Sequence, residues 1–214
     1  MKIAIIGSGN VGTSLGDGWS AKGHEVVYGS RSPKIAAKGR RFASIPEAIA
    51  ASEIVVLAVP YQAVQEVVSA HSLVGKVVID CTNPVAPGAK PPLGGFELAM
   101  GFTTSAAEEV AKMAKGAHIV KAFNTTGYGN MREPRYGSTR VTMFYAGDDD
   151  GAKEKVRQLI GDIGFDPVDA GPLRSARYLE PMALLWMNLS FKLGRDFAFQ
   201  LIQRRGERAV TSDS

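Results

Sequence analysis

Short unbroken apolar runs alternate along this chain with stretches in which apolar residues return every three or four positions. Ile3-Ala4-Ile5-Ile6 opens the series, and Glu53 to Val59, Val77-Val78-Ile79-Asp80 and Ile119 to Phe123 repeat it. Such runs suit strands buried on both faces of a parallel sheet, whereas half-exposed strands would alternate. Helices are predicted between them, up to about Lys22, from Ile45 to Ala51 with Pro46 in the first turn, from Ala63 to about Val68, and from Ser105 to Lys115. Gly23-His24 stops the first of these, and Glu25-Val26-Val27-Tyr28 follows as the second strand. Val141 to Gly147 is the next predicted strand. Asp148-Asp149-Asp150 then caps a helix to about Ile163, and Pro167-Val168-Asp169 is a short last strand. From Ala176 to about Arg204, residues Leu179, Met182, Leu185, Trp186 and Leu189 fall at helical spacing. The alternation predicts an α/β fold: a Rossmann-type, doubly wound, mostly parallel sheet with a short C-terminal helical extension.

The turn after the first strand reads Gly7-Ser8-Gly9-Asn10-Val11-Gly12. Here Gly7 permits a tight turn, Gly9 lets the backbone approach a pyrophosphate, and Gly12 lets the helix pack closely on the strand. Unpaired N–H groups at the start of the helix would face the phosphates. A second feature bears on which dinucleotide this is. Where an NAD site commonly ends its second strand in an acid, this chain has Gly29-Ser30-Arg31, with Lys34 just beyond. A hydroxyl, a planar guanidinium and an ammonium are the groups a 2′-phosphate needs, so NADP(H) is the expected cofactor. Residues 1–172 are expected to form the NADP-binding domain, with 173–205 a helical segment packed on it or on a dimer partner and 206–214 a polar tail.

Composition narrows the picture. The 214 residues, 45% of them hydrophobic, can bury one sizeable core, and no apolar run is long enough to span a bilayer. With no leader pattern ahead of the first strand, a soluble cytoplasmic protein is expected. The single cysteine, Cys81, excludes an intrachain disulfide and a cysteine-based metal cluster. His24, His71 and His118 are read as surface or cap residues. The net charge of +4 is modest, and Lys38, Arg40 and Arg41 follow Arg31 and Lys34 closely enough to form one positive face for the cofactor. Neither nucleic acid nor a membrane is expected as a partner.

Ligands of such sheets bind at the carboxyl edge. Val59-Pro60 and Thr82-Asn83-Pro84-Val85 end two strands there and would line the nicotinamide half. Plain turn chemistry is the alternative at Asn83-Pro84. Asn124-Thr125-Thr126-Gly127 ends a third strand at the same edge.

These residues carry a family resemblance. The glycine turn, Gly29-Ser30-Arg31, Lys121-Ala122-Phe123-Asn124-Thr125, Ala146-Gly147-Asp148-Asp149, Asp169-Ala170-Gly171-Pro172-Leu173 and Leu179-Glu180-Pro181-Met182 stand in the order of a known group. The chain resembles the NADP oxidoreductases typified by reductases dependent on the deazaflavin coenzyme F420. The cytosolic domain of six-transmembrane metalloreductases shares their fold. The resemblance implies pyrophosphate contacts from Ser8, Gly9, Asn10 and Val11, 2′-phosphate contacts from Ser30, Arg31 and Lys34, and backbone of Val59 and Val85 near the nicotinamide. It also implies that Asn124 and Thr125 lie beside a flavin-like partner.

Hydride transfer to a flavin or deazaflavin needs close placement of two rings and no protein acid, so no catalytic side chain is expected. A small imine or carbonyl acceptor would require a proton donor, for which Tyr128, Tyr136 and Tyr178 are candidates. An NADP(H)-binding redox sensor without turnover is the remaining alternative. A homodimer is expected from the apolar C-terminal stripe.

Overall fold

The computed structural model describes residues 1–31, 39–88 and 95–204. The sites assigned to Lys34 and Lys38, part of the loop from Cys81 to Gly95, and the tail 206–214 lie outside the described residues.

The elements run in chain order as β1 (Lys2–Ile6), α1 (Asn10–Ala21), β2 (Glu25–Ser30), β3 (Arg41–Ser44), α2 (Ile45–Ala50), β4 (Ile54–Leu57), α3 (Val64–Ala70), β5 (Val77–Asp80), α4 (Ala106–Met113) and β6 (His118–Ala122). They continue as α5 (Tyr128–Arg132), β7 (Arg135–Tyr136), β8 (Thr139–Arg140), β9 (Thr142–Gly147), α6 (Asp150–Asp162), β10 (Asp166–Asp169) and α7 (Ala176–Leu193). Among the described residues one eight-stranded sheet has the order β10-β9-β6-β5-β4-β1-β2-β3. Its neighbours are parallel except β6 and β9. This is the doubly wound, mostly parallel fold that the alternation predicts.

Because β1 lies between β2 and β4, successive strands leave it in opposite directions, and a crevice opens at its carboxyl end where binding sites of such sheets form. The strand is buried on both faces. Ile3 and Ile5 pack with Leu15, Trp19 and Tyr28 on one side, while Ala4 and Ile6 pack with Ile49, Leu57, Val64 and Val68 on the other.

Several elements depart from the expectation. Four-residue β3 has no apolar run to announce it, yet it pairs with β2, and its Phe42 stacks on Tyr28 at 5.3 Å. Helix α5 and the β7–β8 hairpin occupy a stretch without a clear period. The final helix ends at Leu193, not near Arg204, where Gly194 takes φ 74°. Its buried face is Ala176, Leu179, Glu180, Ala183 and Trp186, whereas Leu185 from the predicted stripe is 53% exposed. Beyond it the chain returns along the sheet: the Thr142 amide donates to the Phe199 carbonyl, and the Leu201 amide donates to Thr142 Oγ1. Asp149 caps α6 by accepting from the Ala152 amide at 2.7 Å, while Asp148 holds the Leu173 amide at 2.8 Å. His24, expected at the surface or at a cap, turns its side chain inward, 7% exposed, with Nε2 2.9 Å from Asp162 Oδ2. Among the described residues no helix is long and apolar enough to cross a membrane.

Candidate cofactor and acceptor site

Gly7 and Gly12 make the close approaches expected of this turn. Gly7 takes φ 112°, and a Cβ there would stand 2.4 Å from the Ala58 carbonyl oxygen. A Cβ on Gly12 would stand 1.9 Å from the Gly7 carbonyl oxygen, so this glycine sets how closely α1 approaches β1. Gly9 differs from both, since a Cβ there would meet no atom within 4 Å and the space over the turn is open. It is also the N-cap of α1. It offers no side-chain cap, and the first turn, including Asn10, Val11 and Gly12, carries no acid. Helix N–H groups left in this way, beside open space and with no acid in the first turn, fit a pyrophosphate.

Two cavities flank the turn. The first, about 460 Å³, is walled by Gly7, Ser8, Ser30, Arg31, Val59 and Pro60. Val59 and Pro60, expected at the nicotinamide half, therefore stand with the Arg31 group. The reason is topological: β4 adjoins β1 and hands the chain to α3, on the sheet face that Ile6 and Leu57 cover. Arg40, read as part of the positive face, is bound at 2.7 and 2.6 Å by both carboxylate oxygens of Asp17.

The second cavity, about 340 Å³, brings together Val11, Asn83 and Asn124 with the aromatic residues Phe96, Tyr128, Trp186 and Phe191, and with Arg195 at its rim. Its polar edge is a reciprocal amide pair. Asn83 Nδ2 donates to the Asn124 carbonyl, and Asn124 Nδ2 donates to Asn83 Oδ1 and to the Leu179 carbonyl, each at 3.1 Å. With both amide hydrogens of Asn124 used, its buried Oδ1 has no partner and remains an acceptor. Phe123 turns the chain to present this residue. It takes φ 62°, costly for a bulky side chain, and is held there by edge contacts with Trp19 at 5.6 Å and Phe165 at 6.2 Å.

Thr125 does not join Asn124 in the cleft. It is buried in the core with Oγ1 4.0 Å from Met143 Sδ. Pro84 and Val85 line neither cavity. Their backbone is internally engaged: the Pro84 carbonyl accepts from the Ala99 amide, the Val85 amide donates to the Asn83 carbonyl, and the Val85 carbonyl accepts from Gln62 Nε2.

Beneath the amide pair lies a charged cluster that sequence reasoning missed. Lys121 Nζ is 2.9 Å from Asp80 Oδ2, 2.9 Å from Glu180 Oε1 and 2.5 Å from the Thr82 carbonyl oxygen. All three charged side chains are within 1% of complete burial. The other oxygens are occupied as well. Asp80 Oδ1 accepts from the Thr82 amide and hydroxyl, and Glu180 accepts from the Ala106 and Ala107 amides that open α4. Burial is the largest influence on the Lys121 ammonium and favours proton loss, yet the two carboxylates together outweigh it and hold the pKa above the ordinary lysine value. The cluster fixes Thr82 and Glu180, each adjacent in sequence to a residue that positions the amide pair. Cys81, next to it, is driven far up by burial and then by Asp80, so it stays a thiol.

The aromatic wall is braced from behind. Trp186 stacks on Phe197 at 5.1 Å and 17°, and its Nε1 donates to the Phe197 carbonyl at 3.1 Å. Asn188 Oδ1 accepts from the Phe96 amide, and Phe96 meets Phe191 at 5.7 Å. Of the three tyrosines weighed as proton donors, Tyr128 lines the cavity; Tyr136 donates to Asn130 Oδ1, and Tyr178 is 74% exposed on the outside. Phe96, Phe191 and Arg195 carried no motif or period that could have announced them.

Comparison with known proteins accords with this geometry. Residues 2–84 match the family model described as NADP oxidoreductase coenzyme F420-dependent. The F420-dependent NADP reductase of Methanothermobacter thermautotrophicus is 30% identical over 214 aligned residues, covering 90% of either chain. Rat metalloreductase STEAP3 is 31% identical over 191 residues, covering 86% of this chain, which spans only 36% of that protein. A crystal structure of a putative F420-dependent NADP reductase from Arthrobacter sp. FB24 superposes with a TM-score of 0.83 at 28% identity, over 95% of this chain and all of that one. The chain thus belongs to the family of coenzyme F420-dependent NADP oxidoreductases, and with it to the NADP-dependent oxidoreductases.

Proposed function

We propose that the protein transfers hydride between NADP(H) and a flat flavin or deazaflavin ring seated in the aromatic cavity. The observation that carries this reading is the second cavity itself, open and walled by Phe96, Tyr128, Trp186 and Phe191, with Val11 at the start of α1 also in its lining. Bound nicotinamide supplies the hydride. The chain's own residues would bind and orient: the α1 N-terminus holds the pyrophosphate, Ser30 and Arg31 the 2′-phosphate, and the Asn83–Asn124 amide pair forms the polar edge of the acceptor cavity. Stacking on aromatic walls excludes water and sets ring orientation. Among the described residues no side chain plugs the cavity, which favours turnover over a pure sensor. Tyr128 supports a second reading, reduction of a small imine or carbonyl with its hydroxyl as proton donor.

The reading includes a small-molecule electron acceptor, a homodimer and a reducing cytoplasmic compartment. The outward apolar residues of α7, Tyr178, Leu185 and Leu193, support the dimer. The lone buried thiol of Cys81 accords with the compartment.

The test is stopped-flow oxidation of NADPH with FMN, FAD or coenzyme F420, with NADH alongside. Fast oxidation by one of these acceptors with NADPH preferred supports the proposal, and tight NADPH binding without oxidation by any of them overturns it. Tyr128→Phe separates the two acceptor classes, since a flavin-type reaction survives it and a proton-dependent one does not.

Gly127→Ala probes the wall. The added Cβ would stand 2.5 Å from Trp186 Cη2, and Trp186 is pinned behind by Phe197. Overpacking of this kind costs about 1–3 kcal/mol. The acceptor KM is expected to rise about tenfold, with a smaller change in NADPH affinity, when both are measured on the same preparation.

A further inference from the structure

The Arg31 cavity contains a carboxylate that the reading above does not use. Glu66, on α3, lines it together with Ser30 and Arg31, and its Oε1 lies 3.9 Å from Arg31 Nη1. The pair is open to solvent, the two side chains being 68% and 81% exposed. An acid at this place is at odds with an NADP site. A phosphate monoester carries nearly two negative charges near neutrality, and it would have to approach Arg31 past a like charge. Asp17 shows the contrast on the other side of β2. It neutralises Arg40 in a close two-pronged bond, whereas Glu66 meets Arg31 at the outer limit of an ion pair and leaves most of the guanidinium edge open.

We infer that Glu66 is a specificity-determining residue, an internal counter-ion for Arg31 that the cofactor's 2′-phosphate must displace, and that it holds down the preference for NADPH over NADH. NADH has a single 2′-hydroxyl in place of that phosphate, so it brings no charge to compete with Glu66 for Arg31 or to be repelled by it. An exposed pair is weak, so displacement is feasible, and the penalty is about three- to tenfold in relative affinity rather than hundreds. The inference rests on the assignment of Arg31 to the 2′-phosphate.

The experiment is a titration of wild type, Glu66→Gln and Arg31→Ala with NADPH and with NADH, at low and moderate salt, with thermal unfolding to verify each fold. Both side chains are largely exposed, so neither change removes packing. Glu66→Gln is expected to raise the NADH-to-NADPH ratio of dissociation constants about three- to tenfold, with the gain shrinking as salt screens the charges. Arg31→Ala is expected to collapse that ratio. If Arg31→Ala collapses it and Glu66→Gln leaves it unmoved, or shifts both cofactors alike, the role of Glu66 is overturned while the phosphate assignment stands. If Arg31→Ala leaves the ratio intact, the phosphate assignment falls and takes the inference with it.

Discussion

Lys121→Met is expected to lower the unfolding free energy by about 3–5 kcal/mol, a large share of the stability of a domain this size. The side chains are similar in length, so packing changes little. What changes is charge. Asp80 and Glu180 would remain beneath the site with no cation, and although each keeps backbone or hydroxyl donors, two buried like charges would face one another across the space Nζ now fills. Urea unfolding measures the loss. The companion Lys121→Met/Asp80→Asn/Glu180→Gln removes the whole charge set and is expected to recover a good part of it, since a neutralised cluster costs less than a broken one. A triple variant no more stable than the single one would argue that Lys121 acts by shape. The pH dependence has a definite sign. Because the folded pKa of Lys121 is raised, its contribution is complete below the ordinary lysine value and is lost only as pH climbs through the elevated one. Wild type therefore keeps this contribution at neutral pH.

This cluster also marks the limit of what the sequence reveals. The buried parallel strands were legible because Ile3 to Ile6 and Val77 to Ile79 have no polar residue to spare for solvent, and the glycine turn because its spacing has one physical use. Lys121 and Glu180 were in view in two motifs, yet nothing local distinguishes a lysine inside a strand that pairs with an acid 59 positions later from one at a strand end. The inward face of α7 was misread for the same reason. Glu180 and Ala183 hold positions that periodicity reserves for large apolar residues, because Lys121 needs the first and close packing the second. The candidate site divides along similar lines. Ser8 lies two residues beyond β1, Ser30 ends β2 and Arg31 follows it, so all three could be located by counting from the glycines. The aromatic wall is assembled from the loop at Phe96, the start of α5 and the far half of α7, elements with no sequence relation to one another. Thr125 is buried beside Met143 while Asn124 lines the cavity, and the left-handed backbone of Phe123 just before them is one its residue type does not announce.

The glycine turn gives the second large effect, and here the two substitutions should part company. Gly12→Ala places a Cβ 1.9 Å from the Gly7 carbonyl oxygen and 3.0 Å from Ile5 Cγ2, and the nearer neighbour is backbone that cannot swing aside. Helix α1 must then lift off β1. That costs about 1–3 kcal/mol in overpacking and shifts the N–H groups meant for phosphate, so stability and NADPH affinity fall together, the latter roughly 10- to 100-fold. At Gly9 the added Cβ meets nothing within 4 Å and the backbone φ is −76°, which any residue tolerates. The fold should therefore accept Gly9→Ala with its melting temperature essentially unchanged, while the methyl group stands where the proposed function puts the pyrophosphate. A loss of NADPH binding in both variants, accompanied by a loss of stability in Gly12→Ala alone, is the expected pattern in parallel ligand titrations and thermal unfolding. Full NADPH affinity in a well-folded Gly9→Ala protein would mean that the open space above this turn is not where the phosphates lie, and the cofactor would have to be sought elsewhere along the sheet edge.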